Sequence, residues 1–277
     1  MFETIKTVAL LGLLTGLFLG VGYYLGGSGG ASMALIFSLA MNFFAYWYSD
    51  KIVLKMYNAK EISKSQNPKI HEMVEEISED VGIPKPKIYL VDQKAPNAFA
   101  TGRNPKSGAL AVTSGLMDIL DEGELKGVLA HEIAHIRNRD TLISTLAATF
   151  AGALAFIAQT AYYGALFGGR DRGRNPAGLM LMVIFVPLAA TIVRLAISRS
   201  REFAADRTGA LAIGDIDGLA SALTKISSAS KQIHLKGNAA TSHMFIINPF
   251  SGDFFVNLLS THPSTEARVK NLRSLKI

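Results

Sequence analysis

The sequence predicts a mainly α-helical membrane protein, with a soluble α+β portion threaded between two hydrophobic hairpins. Three observations carry this. Four long stretches are almost free of charge, the segments between them mix charge, proline and alternating apolar positions, and one helix-period segment holds two histidines at metal-site spacing. The composition agrees: of 277 residues, 49% are hydrophobic and only 18% charged, against about 25% charged in ordinary soluble chains. A disordered chain is excluded and a wholly soluble one disfavoured. Cysteine is absent, which excludes disulfide scaffolds, cysteine nucleophiles and iron–sulfur clusters; any metal must be held by His, Asp or Glu. The net charge is +6. Its basic residues gather at the ends of the hydrophobic stretches, not on a compact surface interleaved with aromatics, so no nucleic-acid partner is expected.

Residues 1–48 are expected to form an N-terminal transmembrane hairpin. Thr7–Leu25 and Ala31–Tyr48 carry no charge and approach the ~20 residues needed to cross a bilayer. Only Gly26–Gly30 separates them, which favours a retained hairpin over a cleaved signal peptide. Gly12, Gly16 and Gly20 repeat on one face, a pattern that permits close helix approach, and Tyr46, Trp47 and Tyr48 suit a membrane–water interface. Residues 49–140 read as the first part of the soluble domain. An amphipathic helix over Lys69–Val81 ends before Pro84 and Pro86, and strands follow at Lys87–Val91, Asn97–Thr101 and Ala109–Thr113. A short helix starts over Leu116–Leu120. A longer one, Leu125–Arg139, is opened by the capping pair Asp121 and Glu124.

Residues 141–197 form the second hydrophobic hairpin, from Thr141–Phe167 and Ala177–Ile197, which either crosses or only partly enters the bilayer. Residues 198–277 complete the soluble domain. Gly218–Ser230 is helical, Gln232–Gly252 irregular, and Pro263–Leu275 a last helix.

The helix over Leu125–Arg139 contains His131-Glu132-Ile133-Ala134-His135, an H-E-x-x-H pattern. Histidines four apart leave the same face of a helix and can grip one Zn²⁺, while the glutamate between them can take a proton from a water that the metal polarises. A catalytic zinc takes three protein ligands and keeps a fourth position open. Glu202 and Asp206, four apart in S-R-S-R-E-F-A-A-D, share a helix face. Glu202 is the candidate third ligand, and Asp206 can hold a metal-bound histidine through its outer nitrogen.

Three separated motifs, H-E-I-A-H-I-R-N-R-D, R-E-F-A-A-D and T-H-P-S-T-E-A-R at Thr261–Arg268, together with N-A-F-A-T-G at Asn97–Gly102, resemble the HtpX membrane metalloproteases, a group related to the Ste24 and Oma1 peptidases. The resemblance covers almost the whole chain. It implies a zincin-like protease domain with a small β-sheet beside the H-E-x-x-H helix, one Zn²⁺ per subunit on His131, His135 and Glu202, and Glu132 as catalytic base. It also implies proteolytic quality control of misfolded or damaged membrane proteins, in the plasma membrane of a bacterium or archaeon.

The ligands constrain topology. Two hydrophobic segments lie between His135 and Glu202, so the chain returns to its starting side and the ligands can meet. Lys6, Lys51, Lys55, Lys60, Lys64, Lys126, Arg137, Arg139, Arg199, Arg201 and Arg207 lie on that side, eleven against the three arginines Arg170, Arg172 and Arg174 opposite. The positive-inside rule then puts the site and both termini in the cytoplasm.

Several supporting roles are expected. His262 is the candidate donor to the oxyanion of peptide hydrolysis, and Arg201 a weaker candidate for substrate or oxyanion contact. Asn97, Ala98, Phe99 and Ala100 could form an edge strand to which an extended substrate adds through main-chain hydrogen bonds. Asn138 and Asp140 would cap or orient the end of the H-E-x-x-H helix, with Asn138 a candidate to act behind the ligands. The rival functions are a narrow-specificity processing peptidase acting on lipidated C-termini, and a catalytically silent membrane scaffold that keeps zinc for stability. The intact Glu132 argues against the scaffold, because a structural site has no use for a base there.

Overall fold

The computed structural model describes residues 2–143, 199–230 and 263–276. Its first element, α1 (Phe2–Met56), is two helical arms folded at Gly26 and Gly27; Gly27 adopts φ 59°, ψ −144°, which costs a residue without a Cβ little. The arms lie side by side. Asn42 Nδ2 donates to Thr15 Oγ1 at 3.0 Å, and Phe18 meets Phe37 edge to face with 5.7 Å between ring centroids. A Cβ on Gly22 or on Gly30 would collide with the main chain of the other. The glycine repeat at Gly12, Gly16 and Gly20 does not make this close approach, and nothing among the described residues would meet a Cβ there. The facing stripe runs through Thr15, Phe18 and Gly22, so the repeat lies one step round the helix.

The second arm, Gly26–Tyr48, has a mean hydropathy of 1.4 over its most apolar stretch and is long and apolar enough to cross a membrane. Met33, Ile36, Leu39, Phe43 and Phe44 stand exposed along it, a contiguous apolar surface that suits lipid rather than water. The second predicted hairpin lies outside the described residues beyond Ile143, as does the irregular Gln232–Gly252 segment.

Four strands follow: β1 (Lys60–Glu61), β2 (Lys87–Val91), β3 (Ala98–Thr101) and β4 (Ala109–Thr113), in the order β1-β2-β4-β3. β2 and β4 run parallel; β1 on β2 and β3 on β4 are antiparallel. The sheet is covered on both faces, which explains why A-L-A-V-T is buried throughout and its first four residues are apolar. On one face Ile88, Ala98, Leu110 and Val112 join the main core with α2 (Pro68–Asp80) and α4 (Glu122–Asn138). On the other, Val91, Phe99, Ala109 and Ala111 pack against Val53 and Leu54 at the end of α1. The helix that forms the second arm therefore continues out of its apolar stretch to roof the sheet.

Helix starts follow local chemistry. Asn67 caps α2, with Pro68 behind it; Thr113 caps the short α3 (Ser114–Ile119); Ser264 caps α7 (Thr265–Arg273). At α4, Asp121 accepts from the Glu124 N–H while Glu124 accepts from the Asp121 N–H, a complete capping box. Glu124 also accepts from Ser221 at 2.6 Å and Lys225 at 2.7 Å, tying α4 to α6 (Asp217–Ser230). α5 (Arg199–Ile213) packs along the other side of α4. Contact there is main chain to main chain: a Cβ on Gly209 would sit 2.9 Å from Ala130 C and from His131 N.

Candidate active site

α4 carries the first three groups. His131 and Glu132 are buried and His135 is mostly so, its side chain 14% exposed. α5 brings Glu202 and Asp206 across from α4, and α7 brings Arg268 from the C-terminal side. His131 Nε2 and His135 Nε2 are 3.2 Å apart; Glu202 carboxylate oxygens lie 3.7 Å from the first and 3.5 Å from the second. A tetrahedral ion with bonds of ~2.0–2.1 Å separates its donor atoms by ~3.3–3.4 Å, so these three side chains are already set as a metal cradle. Among the described residues they are the group of His, Asp or Glu side chains that could hold a metal ion.

Charge makes the same point. The site gathers four buried carboxylates, Glu132, Asp140, Glu202 and Asp206, with two guanidiniums, Arg201 and Arg268. With both imidazoles neutral, as metal ligands must be, the site is two positive charges short, which one divalent cation would supply; without an ion, a protonated His135 makes up part of that deficit.

Each imidazole is held from behind. Asp206 Oδ1 lies 2.9 Å from His131 Nδ1, and Asp140 Oδ2 lies 3.1 Å from His135 Nδ1. With Nδ1 facing a carboxylate, each ring turns its Nε2 toward the cradle. Asp140 reaches His135 because α4 stops: Arg139 takes a left-handed conformation (φ 62°, ψ 25°) and its N–H closes onto the His135 and Ile136 carbonyls. In a helix continued past Arg139, Asn138 would share the face of His135 and Asp140 would not. The turn at Arg139 brings Asp140 back onto His135 while Asn138 stays within α4, so the carboxylate that holds the ring is Asp140. Arg201 places its Nε 3.5 Å from Asp140 Oδ1, behind the carboxylate that holds His135. His262 lies outside the described residues.

Arg268 is the residue that the sequence reading missed as a site residue, although it closes the T-H-P-S-T-E-A-R motif. It is 1% exposed. Nε and Nη2 fork onto Asp206 at 2.9 and 2.6 Å, and Nη1 lies 3.6 Å from Glu202 Oε2. The available signal was a lone arginine on the apolar stripe of α7, one turn before buried Leu272. Burial works against both charges of this pair, but each partner outweighs it for the other: Arg268 is raised and Asp206 held well below the usual carboxylate range.

β3 borders the site on the remaining side. Thr113 N–H donates to the Asn97 carbonyl at 2.9 Å, so by antiparallel alternation Asn97, Phe99 and Thr101 spend their main-chain groups on β4, whereas Ala98 and Ala100 turn theirs away from it, in a strand that is buried along its length. The Ala100 N–H is hydrogen-bonded to Glu132. Of the four residues expected to line a substrate edge, Ala98 and Ala100 have their main-chain groups directed away from β4. Phe99 points to the opposite face, with its ring 5.3 Å from that of Tyr57. The Asn97 N–H donates to Thr113 Oγ1 at 2.8 Å.

Burial pushes the Glu132 carboxyl up to about 7; negative Glu202 adds to this, while His135, Arg268 and the Ala100 N–H oppose it. For His135, burial opposes the charged form, yet the Asp140 hydrogen bond and the charges of Glu202 and Glu132 outweigh it and lift the ring to about 9. His131 moves the other way, lowered by burial and then by Arg268.

Residues 64–276 match Peptidase family M48. The chain belongs to that family. It is 52% identical to a protein described as Protease HtpX homolog from Persephonella marina, over 98% of this chain and 96% of the relative. It is 50% identical to another from Pyrococcus furiosus, over 98% and 95%. A crystal structure of Ste24p from S. mikatae shares the fold, with a TM-score of 0.55 at 19% identity; 98% of this chain aligns with 65% of that one. As an M48 member the protein is a metallopeptidase with a membrane-associated character, and the cradle on α4 and α5 is where its metal chemistry would sit.

The pKa of His135 carries a prediction for this M48 site. An imidazole ligand must be neutral. In the metal-free protein His135 stays protonated below about 9, so loading at neutral pH should expel a proton, and affinity should rise by up to ~10-fold per pH unit between about 7 and 9. Zinc-competition titrations across that range, with calorimetry in two buffers of different ionisation enthalpy, measure both. A flat affinity with no proton release would contradict the Asp140–His135–Glu202 arrangement.

Proposed function

We propose that the protein is a membrane-integrated zinc endopeptidase. It cleaves misfolded or damaged membrane proteins at their cytoplasmic segments, as part of proteolytic quality control. The observation that carries this reading is the convergence of His131, His135 and Glu202 at ligand spacing, with a second carboxylate, Glu132, beside them and bonded to the sheet edge. A scaffold that kept metal for stability would have no use for that carboxylate.

Zinc held by His131, His135 and Glu202 would supply Lewis acidity to the peptide carbonyl and acidify the attacking water. The chain's own groups do the rest. An extended segment lies along β3 and bonds to the outward main-chain groups of Ala98 and to the Ala100 carbonyl, the Ala100 N–H being held by Glu132. Glu132, steered by the Ala100 N–H, accepts the proton of the attacking water and hands it to the amide nitrogen as the C–N bond breaks. Asp206 and Asp140 fix the two imidazoles, and Arg268 neutralises the carboxylates behind them. His262 is our candidate donor to the oxyanion, since it lies just before the helix that delivers Arg268 to the site.

Main-chain recognition reads extension rather than sequence, which suits unfolded substrates. The eleven basic residues flanking the hydrophobic segments on the ligand side, against three opposite, support a cytoplasmic site in the plasma membrane.

Purification in detergent with a chelator, followed by zinc restoration, tests the reading, with proteolysis of an unfolded casein-like substrate as the readout. Activity should depend on restored zinc. Glu202→Ala should drop zinc well below one per subunit by elemental analysis while the protein still folds. Full zinc stoichiometry in that variant would reject Glu202 as a ligand.

A further inference from the structure

β3 ends where the hydrophobic segments begin. Directly after Thr101, the Gly102 carbonyl accepts from Thr141 Oγ1 at 2.8 Å, and Thr141 opens the hydrophobic run 141–167. The next residue, Arg103, holds its guanidinium 4.3 Å above the ring of Trp47, in the aromatic cluster that ends the apolar arm Gly26–Tyr48. The same arm, continuing to Met56, roofs the sheet through Val53, Leu54 and the Phe99–Tyr57 contact. Two separate junctions between apolar and soluble chain thus meet at the C-terminal end of the edge strand. Trp and Tyr in such positions sit at headgroup level. Ala100, which holds Glu132, is three residues from Arg103, or roughly 10 Å of extended chain.

We propose that the substrate edge opens at the bilayer surface, so that the preferred substrate is the juxtamembrane segment immediately following a transmembrane helix. Direction follows from pairing. β3 runs toward the membrane, and a strand added antiparallel, the more stable pairing per residue, runs away from it. A polypeptide that leaves the bilayer and proceeds N to C into water enters the edge in that sense; one that approaches the bilayer from its N-terminal side meets it in the less favourable sense. The cut falls about three to six residues beyond the interface.

This rests on the endopeptidase reading, and one experiment separates the two. The zinc-loaded full chain is reconstituted in vesicles with single-span reporters. Each carries the same unfolded test segment on the enzyme's side, placed either after or before the span, behind a short (about 5-residue) or long (about 30-residue) flexible spacer. Tethering alone makes the short spacer faster by up to roughly 15-fold, whichever side the segment lies on. The proposal adds an asymmetry: with the short spacer, the segment after the span should be cut at least about fivefold faster than the one before it. The double change Trp47→Ala with Arg103→Ala should erase that asymmetry while cleavage of a soluble unfolded polypeptide is unchanged. Equal rates for the two placements, with the soluble polypeptide still cut, overturn this proposal alone. No cleavage of any substrate overturns the endopeptidase reading and this with it.

Discussion

Glu132→Gln should slow hydrolysis of an unfolded polypeptide by about 10²–10⁴-fold while leaving the metal content at the wild-type level. The amide keeps the size of the carboxylate and an oxygen that can accept the Ala100 N–H, so neither the cradle nor the sheet edge is disturbed. What it loses is the capacity to take a proton. General-base contributions are typically about 10²–10⁴-fold in rate, so kcat should fall within that range with little change in KM. The wild-type pH profile bears on the same group. Burial lifts Glu132 to about 7 in the metal-free protein, and a base must be ionised to act. Activity should therefore fall as pH drops through a value at or below about 7, because a divalent cation nearby lowers the carboxyl further. Near-wild-type turnover in the Gln variant would remove Glu132 from the chemistry.

Arg268→Ala should have the largest effect on the folded protein. The arginine is buried against Asp206 through two short hydrogen bonds, with Glu202 beyond. Taking out one member of a buried pair leaves the other charged and unsatisfied, at about 3–5 kcal/mol. The unmatched Asp206 also faces His131, so zinc affinity should weaken by about 10–100-fold, the usual cost of losing outer-shell support. Thermal unfolding in detergent and a zinc-competition titration measure the two effects. Arg268→Lys keeps the charge but not the fork and should fall between. An unchanged Tm together with unchanged zinc affinity would mean that the pair does not support the site.

The parts of this architecture that were legible beforehand are those written in short-range pattern. The capping box at Asp121 and Glu124, the histidines four apart, and the strands Lys87–Val91 and Ala109–Thr113 bounded by proline and glycine all follow from local periodicity, and the structure has them in those places. β1 is two residues long and has no period to detect. Arg268 finds Asp206 across 62 residues, so its partner lies beyond any sequence window. Asp140 is expected from the sequence to orient the helix end, but its bond to His135 depends on the left-handed turn at Arg139, a conformation that an arginine does not advertise. The outward parity of Ala98 and Ala100 depends on the pairing of Asn97 with Thr113, a long-range register that alternation alone leaves open.

The bare main-chain contact at Gly209 sets the tolerance of the whole centre. Glu202 lies seven residues before it, two turns along the same side of α5, while the facing atoms belong to Ala130 and His131. The two helices act as the jaws of a caliper, and the glycine is its zero stop. One added methyl would pry the jaws open and carry the glutamate oxygens away from both imidazoles. Coordination bonds tolerate only ~0.2 Å of misfit, so the protein could be disarmed at a position that bears no functional group at all.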